Sequence, residues 1–308
     1  QAVRAIQVEH PDVQCAIYTC DEVDLRTLMD NVSRSFYINL QTNIELVYLD
    51  RLKFIQPQSY PRFTILGQSI GSLFLAHEAL NKYQPDIFID TIGFAFTIPY
   101  FKLLGGALTG CYVHYPTVSS DMLNKVKSQS NSFNNDSRIS KSPVLTFLKI
   151  SYYRLFAYLY GWAGSQSDLT LVNSSWTKGH IDHIWGRKTG AQILYPPCDT
   201  SAFAGLELER LHPKNKFIVC SIGQFRPEKN HQAQLKAFQS LHQSIPEESR
   251  LDCELYLIGS CRDEEDLWRV QELRKLALSL GVEQNVSFHL SIPFHKLLTY
   301  LSQSDVGI

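Results

Sequence analysis

Apolar positions along this chain follow two spacings in turn: short runs rich in β-branched residues, and longer stretches where apolar side chains return every three or four positions. The short runs predict strands at residues 13–18, 43–49, 86–90, 107–113, 168–172, 191–195, 217–222, 253–258 and 286–290, with one more from Val306 onward. Between them the helical spacing predicts a short helix ending at Pro11, a helix capped by Asp21 through Leu25 and Leu28, and one at 64–83 with Leu66, Ile70, Leu73, Phe74 and His77 on one face. Further helices are expected around 94–104, at 143–164, after Ser174 or Ser175 as cap, after Pro227, and at 263–280 and 293–302. Strand and helix in alternation predict an α/β chain with two doubly wound domains, residues 1–195 and 216–308, joined by a polar linker at 196–215.

One stretch, residues 216–241, joins strand, glycine turn, basic loop and helix without interruption. Phe217, Ile218, Val219, Cys220 and Ile222 suit a strand buried on both faces of a parallel sheet, and Gly223 makes the turn. Leu235, Phe238, Leu241 and Ile245 mark the buried side of the helix, with Gln232, Gln239 and Gln243 opposite. Arg226 and Lys229 lie between the two. A loop leading from the carboxyl end of a parallel strand to a helix amino terminus offers N–H groups and partial positive charge to an anion. Arg226 adds a bidentate fork and Lys229 a point charge, a pairing suited to a diphosphate; the same residues also describe a solvated basic loop. Gly259, after the next strand, either approaches a nucleotide from a neighbouring loop or makes a plain turn.

His114 follows a predicted buried strand and so falls at the carboxyl edge of the sheet, where open α/β folds bind their ligands. His77 stands at no metal-ligand spacing from another Cys, His or carboxylate and is expected in the core or at its boundary. Residues 91–113 carry a single charge, Lys102, but Pro99 and three glycines break the span, so a helix resting on lipid or on the sheet is expected in place of a membrane crossing. Residues 128–142 are Ser- and Asn-rich and predict a mobile loop. The following helix, 143–164, is apolar nearly all round, with Lys149, Tyr152, Tyr153, Arg154, Phe156, Tyr158 and Trp162 matching a helix in a membrane interface or one buried between domains.

Composition narrows the function. With 29 basic and 30 acidic residues, bulk charge gives no reason to expect a nucleic-acid partner, and 44% hydrophobic content over 308 residues supports two cores. Seven scattered cysteines without CxxC spacing predict reduced thiols in a cytosolic setting, and the sequons at Asn31, Asn135, Asn173 and Asn285 are expected to be unused. Gln1 in place of Met is read as a start inside a longer protein.

The loop GQFRPEKNH after a strand, together with His114-Tyr115-Pro116, N-S-S-W-T at 173–177 and Y-P-P-C-D at 195–199, resembles the retaining GT-B glycosyltransferases, in particular the α-1,2-mannosyltransferases that extend dolichol-linked oligosaccharide for N-glycosylation. Many relatives carry the arginine directly after the glycine, where this chain has Gln224. The resemblance implies a GT-B fold of two Rossmann-like domains, an acceptor- and membrane-side one at 1–195 and an incomplete nucleotide-sugar-binding one at 216–308, with GDP-mannose as donor held by Gly223, Arg226, Lys229 and Gly259, and His114 in the cleft near the transferred sugar. It further implies a dolichol-linked acceptor, transfer with retention at the cytosolic face of the endoplasmic reticulum membrane, and association with that membrane and with other transferases of the pathway. No DxD motif is present, so no metal or other cofactor is expected. A glycine-rich loop expected in the first strand-to-helix turn, and paired glutamates expected beyond Ile308, have no counterpart; adjacent Glu264 and Glu265 read as a solvated helix start. A catalytically silent, truncated partner that keeps the fold is the alternative, while an oxidoreductase is disfavoured because no G-x-G-x-x-G follows a strand.

Overall fold

The computed structural model describes residues 1–36, 38–118, 143–198, 200–206 and 216–308. The expected mobile loop at 128–142, Asn135 and much of the predicted linker, Asp199 and 207–215, lie outside the described residues. The chain divides into two compact units, Gln1–Pro197 and Cys198–Ile308.

In the first unit the order is α1 (Ala2–Glu9), β1 (Cys15–Thr19), α2 (Leu25–Phe36), β2 (Ile44–Tyr48), α3 (Thr64–Lys82), β3 (Ile87–Asp90), α4 (Thr97–Gly105), β4 (Leu108–Val113), α5 (Pro143–Gly164), β5 (Leu169–Val172), α6 (Ser175–Ile184) and β6 (Gln192–Ile193). All pairings are parallel: β1 with β2, and separately β3-β4-β5-β6. Parallel neighbours need crossovers, and the intervening helices supply them. The cap of α2 is Asp24 in place of the expected Asp21; its carboxylate accepts Thr27 N–H at 2.8 Å and the Thr27 hydroxyl at 3.1 Å, and it stands directly before the first helical residue. Ser174 caps α6 by accepting Thr177 N–H at 3.1 Å.

The buried side of α3 also differs from expectation. Gly71, Ser72, Ala76 and Ala79 face the core, whereas Ile70, Phe74 and His77 are exposed. Small residues let the helix backbone come against its neighbours, and the rings are left at the rim, Phe74 packing on Phe54 at 5.5 Å. His77 bonds Tyr100 Oη at 2.8 Å and Asn81 Nδ2 at 3.1 Å, so it is a surface histidine. Among the described residues no cluster of His, Cys, Asp or Glu could hold a metal ion.

The second unit contains α7 (Ser201–Ala204), β7 (Phe217–Ile222), α8 (His231–Ser244), β8 (Cys253–Gly259), α9 (Glu264–Ser279), β9 (Val286–Leu290), α10 (Phe294–Gln303) and β10 (Val306–Gly307), with a parallel sheet in the order β10-β7-β8-β9. Its core joins Val219, Leu255 and Leu257 of the sheet to Leu235 and Phe238 of α8 and Val270 and Leu273 of α9. Each such side chain, fully buried, contributes about 1.5–3 kcal/mol. Asp263 caps α9 by accepting Asp266 N–H at 2.9 Å, and Glu264 and Glu265 fill its first turn as expected, opposite the positive end of the helix dipole. Of the expected polar face of α8, Gln239 is tied down, donating to Leu280 O at 3.0 Å. Asn285 is buried and donates to Arg250 O and Cys253 O, each at 2.9 Å, so its amide serves packing.

Candidate functional site

In the second unit β7 and β8 end side by side, and their turns touch. Gly223 N–H donates to Ile258 O at 2.9 Å, and a Cβ on Gly259 would stand 2.0 Å from Gly223 O and 3.3 Å from the Phe225 ring. Only a residue without a side chain fits at 259. Phe225, two residues beyond Gly223, is anchored in turn. Phe225 N–H donates to Ser260 O at 3.3 Å, and its ring, 0% exposed, stacks on His231 with centroids 4.9 Å apart. From below, Arg269 Nη1 donates to Phe225 O and to Asp266 Oδ1, both at 2.8 Å, while Arg269 Nη2 donates to Glu265 Oε1 at 2.8 Å.

Asp266 is the keystone of that anchorage. It is buried, and Arg262 Nε donates to its Oδ2 at 2.9 Å. The Arg262 hydrogen bond, then further bonds from Arg262 N–H and Arg269, bring its carboxyl down to about 2 against the cost of burial.

On this support sit the two cations singled out by the sequence. The aliphatic stem of Lys229 runs along the Gly223 turn, where a Cβ would lie 3.5 Å from Lys229 Cδ. Among the described residues Arg226 Nη1 makes a 3.4 Å contact with Glu228, and its buried Nε has no hydrogen-bond partner. His231 opens α8, is 4% exposed, and its Nδ1 likewise lacks a partner among the described residues. Burial, with Lys229 and Arg269 nearby, pushes its pKa down, which keeps the imidazole neutral. Among the described residues α8 receives no side-chain cap bond from Asn230. The structure thus brings Gly223, Arg226, Lys229 and Gly259 together beside the buried Arg226 Nε and the start of α8, an arrangement able to receive an anion.

In the first unit three adjacent strands end in polar residues: β3 in Asp90, β4 followed by His114, and β5 followed by Asn173. His114 is exposed at this carboxyl edge, its ring against Tyr112 at 4.8 Å, and its carbonyl accepts the Thr177 hydroxyl at 3.4 Å. Asp90 is buried and was not singled out by the sequence. Its carboxylate accepts Ile92 N–H at 3.0 Å and Gly93 N–H at 3.1 Å. Burial raises its pKa, opposed by those N–H groups, by Phe94 N–H and by the charge of His114. A lone aspartate closing a short apolar run was the one available signal. Arg269 and Asp266 gave less, reading as ordinary members of a charged helix face.

The α5 helix presents two apolar faces. Phe156 (2% exposed), Tyr160 and Ala163 enter the core with Ile98, Ile181 and Trp185. Gly161 permits this approach, since a Cβ there would meet Ile184 O at 2.4 Å. The expectation of an interface role for Phe156 is therefore corrected: at this helical position it faces the sheet. Tyr152 and Tyr153 are half-buried, Tyr152 edge-on to Phe63 at 5.3 Å, and Lys149 is partly buried. Arg154, Tyr158 (73% exposed) and Trp162 (49%) point outward with Phe147 and Leu155. Among the described residues no helix is long and apolar enough to cross a membrane.

Two family models match the chain in succession. Residues 1–185 match the family described as ALG11 mannosyltransferase N-terminus, and residues 208–308 match glycosyl transferases group 1. The chain is 44% identical over 308 residues to a Xenopus laevis protein named GDP-Man:Man(3)GlcNAc(2)-PP-Dol alpha-1,2-mannosyltransferase, and 43% identical to its Homo sapiens namesake. All of the chain is aligned in both cases, and it spans 63% of the length of each relative. Among solved structures, a UDP-forming trehalose-phosphate synthase from Burkholderia xenovorans aligns with 99% of the chain and 75% of its own (TM-score 0.64, 12% identity). WaaG, a glycosyltransferase involved in lipopolysaccharide biosynthesis, aligns with 99% and 69% (TM-score 0.56, 14% identity). At these identities the likeness concerns the fold alone, which is the GT-B glycosyltransferase fold. By the match over its first 185 residues, the chain belongs to the ALG11 mannosyltransferase N-terminus family.

Proposed function

We propose that the protein transfers mannose from GDP-mannose to a dolichol-linked oligosaccharide, forming an α-1,2 linkage with retention at the anomeric carbon. The observation that carries this reading is the anchored basic loop, in a chain 43–44% identical to relatives named for that reaction. Departure of GDP leaves charge on the diphosphate while the sugar gains positive character. Arg226, Lys229 and the start of α8 are the groups assigned to that charge, held ready so that little reorganisation accompanies reaction. The reading calls for no metal. His114 is assigned to orienting the sugar, as an exposed imidazole beyond a parallel strand.

The outward face of α5 supports a membrane-surface role: Phe147, Leu155, Tyr158 and Trp162 are exposed on a helix whose other side is fixed in the core, and Arg154 stands beside them. The proposed setting is the cytosolic face of the endoplasmic reticulum membrane, where other transferases acting on the same lipid-linked acceptor are the natural company.

The direct test uses the full-length protein with GDP-mannose and a synthetic lipid-diphosphate acceptor bearing Man3GlcNAc2. The expected product carries one further mannose, removable by an α-1,2-specific mannosidase. Transfer to another position, or GDP-mannose consumed only by hydrolysis, contradicts the assignment.

A further inference from the structure

A cavity of about 200 Å³ lies in the first unit at the end of β3, between the amino-terminal half of α3 and the loop that Asp90 holds through Ile92 and Gly93. Its lining is unusual in two respects. Among the described residues no Lys, Arg, His, Asp or Glu contributes, although the sheet edge nearby carries both Asp90 and His114. Instead, Gln68, Ser69, Ser72, Thr117 and Tyr160 alternate with aliphatic and aromatic walls, including Phe94.

The polar groups are fixed by bonds to the protein yet keep capacity to spare. Gln68 Nε2 donates to Ile55 O at 2.7 Å, which orients the amide and leaves Oε1 without a hydrogen bond among the described residues. Ser69 and Ser72 each spend their proton on a carbonyl of their own helix, at 2.8 and 2.7 Å, so their lone pairs can accept. Tyr160 Oη accepts Thr117 N–H at 3.3 Å, and burial raises its pKa to about 12, so the phenol keeps its proton.

Among the described residues an anion or a cation finds no charged partner in this lining, and a purely apolar ligand would leave Gln68 Oε1 without a hydrogen bond. A neutral ring with hydroxyls at its edge and C–H groups on its faces satisfies both kinds of wall. The volume suits one ring and is below the ~300–1,000 Å³ of sites for drug-sized ligands.

We propose that this cavity binds a single neutral hexose ring, and that the ring belongs to the oligosaccharide acceptor. Identification with the acceptor rests on the proposed transfer reaction; the affinity for a neutral sugar does not.

The test has two readouts. In saturation-transfer NMR, methyl α-D-mannopyranoside is the probe for the chain, with Ser69→Leu filling the cavity and Thr117→Val removing one hydroxyl at constant volume. Expected are clear saturation with the parent, none with Ser69→Leu and a weaker signal with Thr117→Val, at unchanged melting temperature. In the full-length protein Ser69→Leu should raise the acceptor KM at least ~10-fold, the equivalent of about one hydrogen bond, with GDP affinity unchanged. Equal saturation of parent and variants, no saturation of the parent, or an unaltered acceptor KM each overturns the proposal. Were the full-length parent to transfer no mannose, the transfer reading would fail by itself, and the mannoside experiment would still decide whether the cavity takes a sugar.

Discussion

Replacing Gly259 with alanine probes the contact on which the basic loop stands. The added Cβ would lie 2.0 Å from Gly223 O and 2.9 Å from Gly223 C, against the 3.4–4 Å of ordinary van der Waals contact, and both partners are backbone atoms. No rotamer change can relieve that overlap, so the turns after β7 and β8 must separate. Overpacking of this kind costs about 1–3 kcal/mol. In a unit of this size each kcal/mol lowers the melting temperature by roughly 4–8 °C, so the transition of the second unit should fall by about 10 °C. Displacing the turn also moves Phe225 and, next to it, Arg226, so GDP affinity should drop ~10-fold or more. Gly223→Ala is the matched control: the atoms nearest its Cβ are those of the flexible Lys229 stem, at 3.5 Å or more, and near-parental melting is expected. Calorimetric melting and GDP titration of the three proteins give the answer. Equal behaviour of Gly259→Ala and Gly223→Ala would refute the close approach and the anchorage built on it.

Asp266→Asn should lower stability at neutral pH and flatten the acid limb of the melting profile. The folded carboxyl titrates near 2 and the unfolded one at 3.8, so its contribution is complete above about 3.8 and is lost as pH falls through about 2. His231, whose folded pKa is depressed, contributes in the same sense at higher pH: stability is full above 6.5 and declines below it as the unfolded state takes up the proton first. His231→Phe should therefore remove part of the decline in melting temperature seen between neutral and mildly acidic pH. Phe156→Ala should destabilise the first unit by about 3–5 kcal/mol, while Tyr158→Ser and Trp162→Ser leave melting nearly unchanged and weaken flotation with lipid vesicles.

The sequence was most informative where one local pattern carried the whole message. The β7 run, Gly223 and the Leu235/Phe238 spacing specified a strand, a turn and a helix, and the structure places all three, with Phe217 and Ile222 exposed at the strand ends and Leu241 exposed in the last helical turn against expectation. The order of elements was legible for the same reason, since buried parallel strands and amphipathic helices have distinct periods. What stayed hidden depends on contacts distant in sequence. Nothing local marks Gly259 as the residue against which Gly223 packs, 36 positions earlier in the chain, or Arg269 as the support of Phe225, 44 positions away. On α3 the helical period was correct but the buried side was misassigned, because hydrophobicity alone favours Ile70 and Phe74 while close packing selects Gly71, Ser72 and Ala76. On α5, apolar residues all round gave no indication of which face was taken; Gly161 and Gly164 mark the side that meets the end of α6, and they carry no hydrophobic signal.

The central claim, that the loop carrying Arg226 and Lys229 is a diphosphate site, is tested most directly by calorimetric titration of the chain with GDP, beside an Arg226→Ala, Lys229→Ala double variant. Each charge-assisted hydrogen bond contributes about 1.5–3 kcal/mol, so measurable binding by the parent and a loss of at least ~100-fold in the variant are predicted. Equal affinity in the two proteins, or no binding by a parent that melts cooperatively, would contradict it.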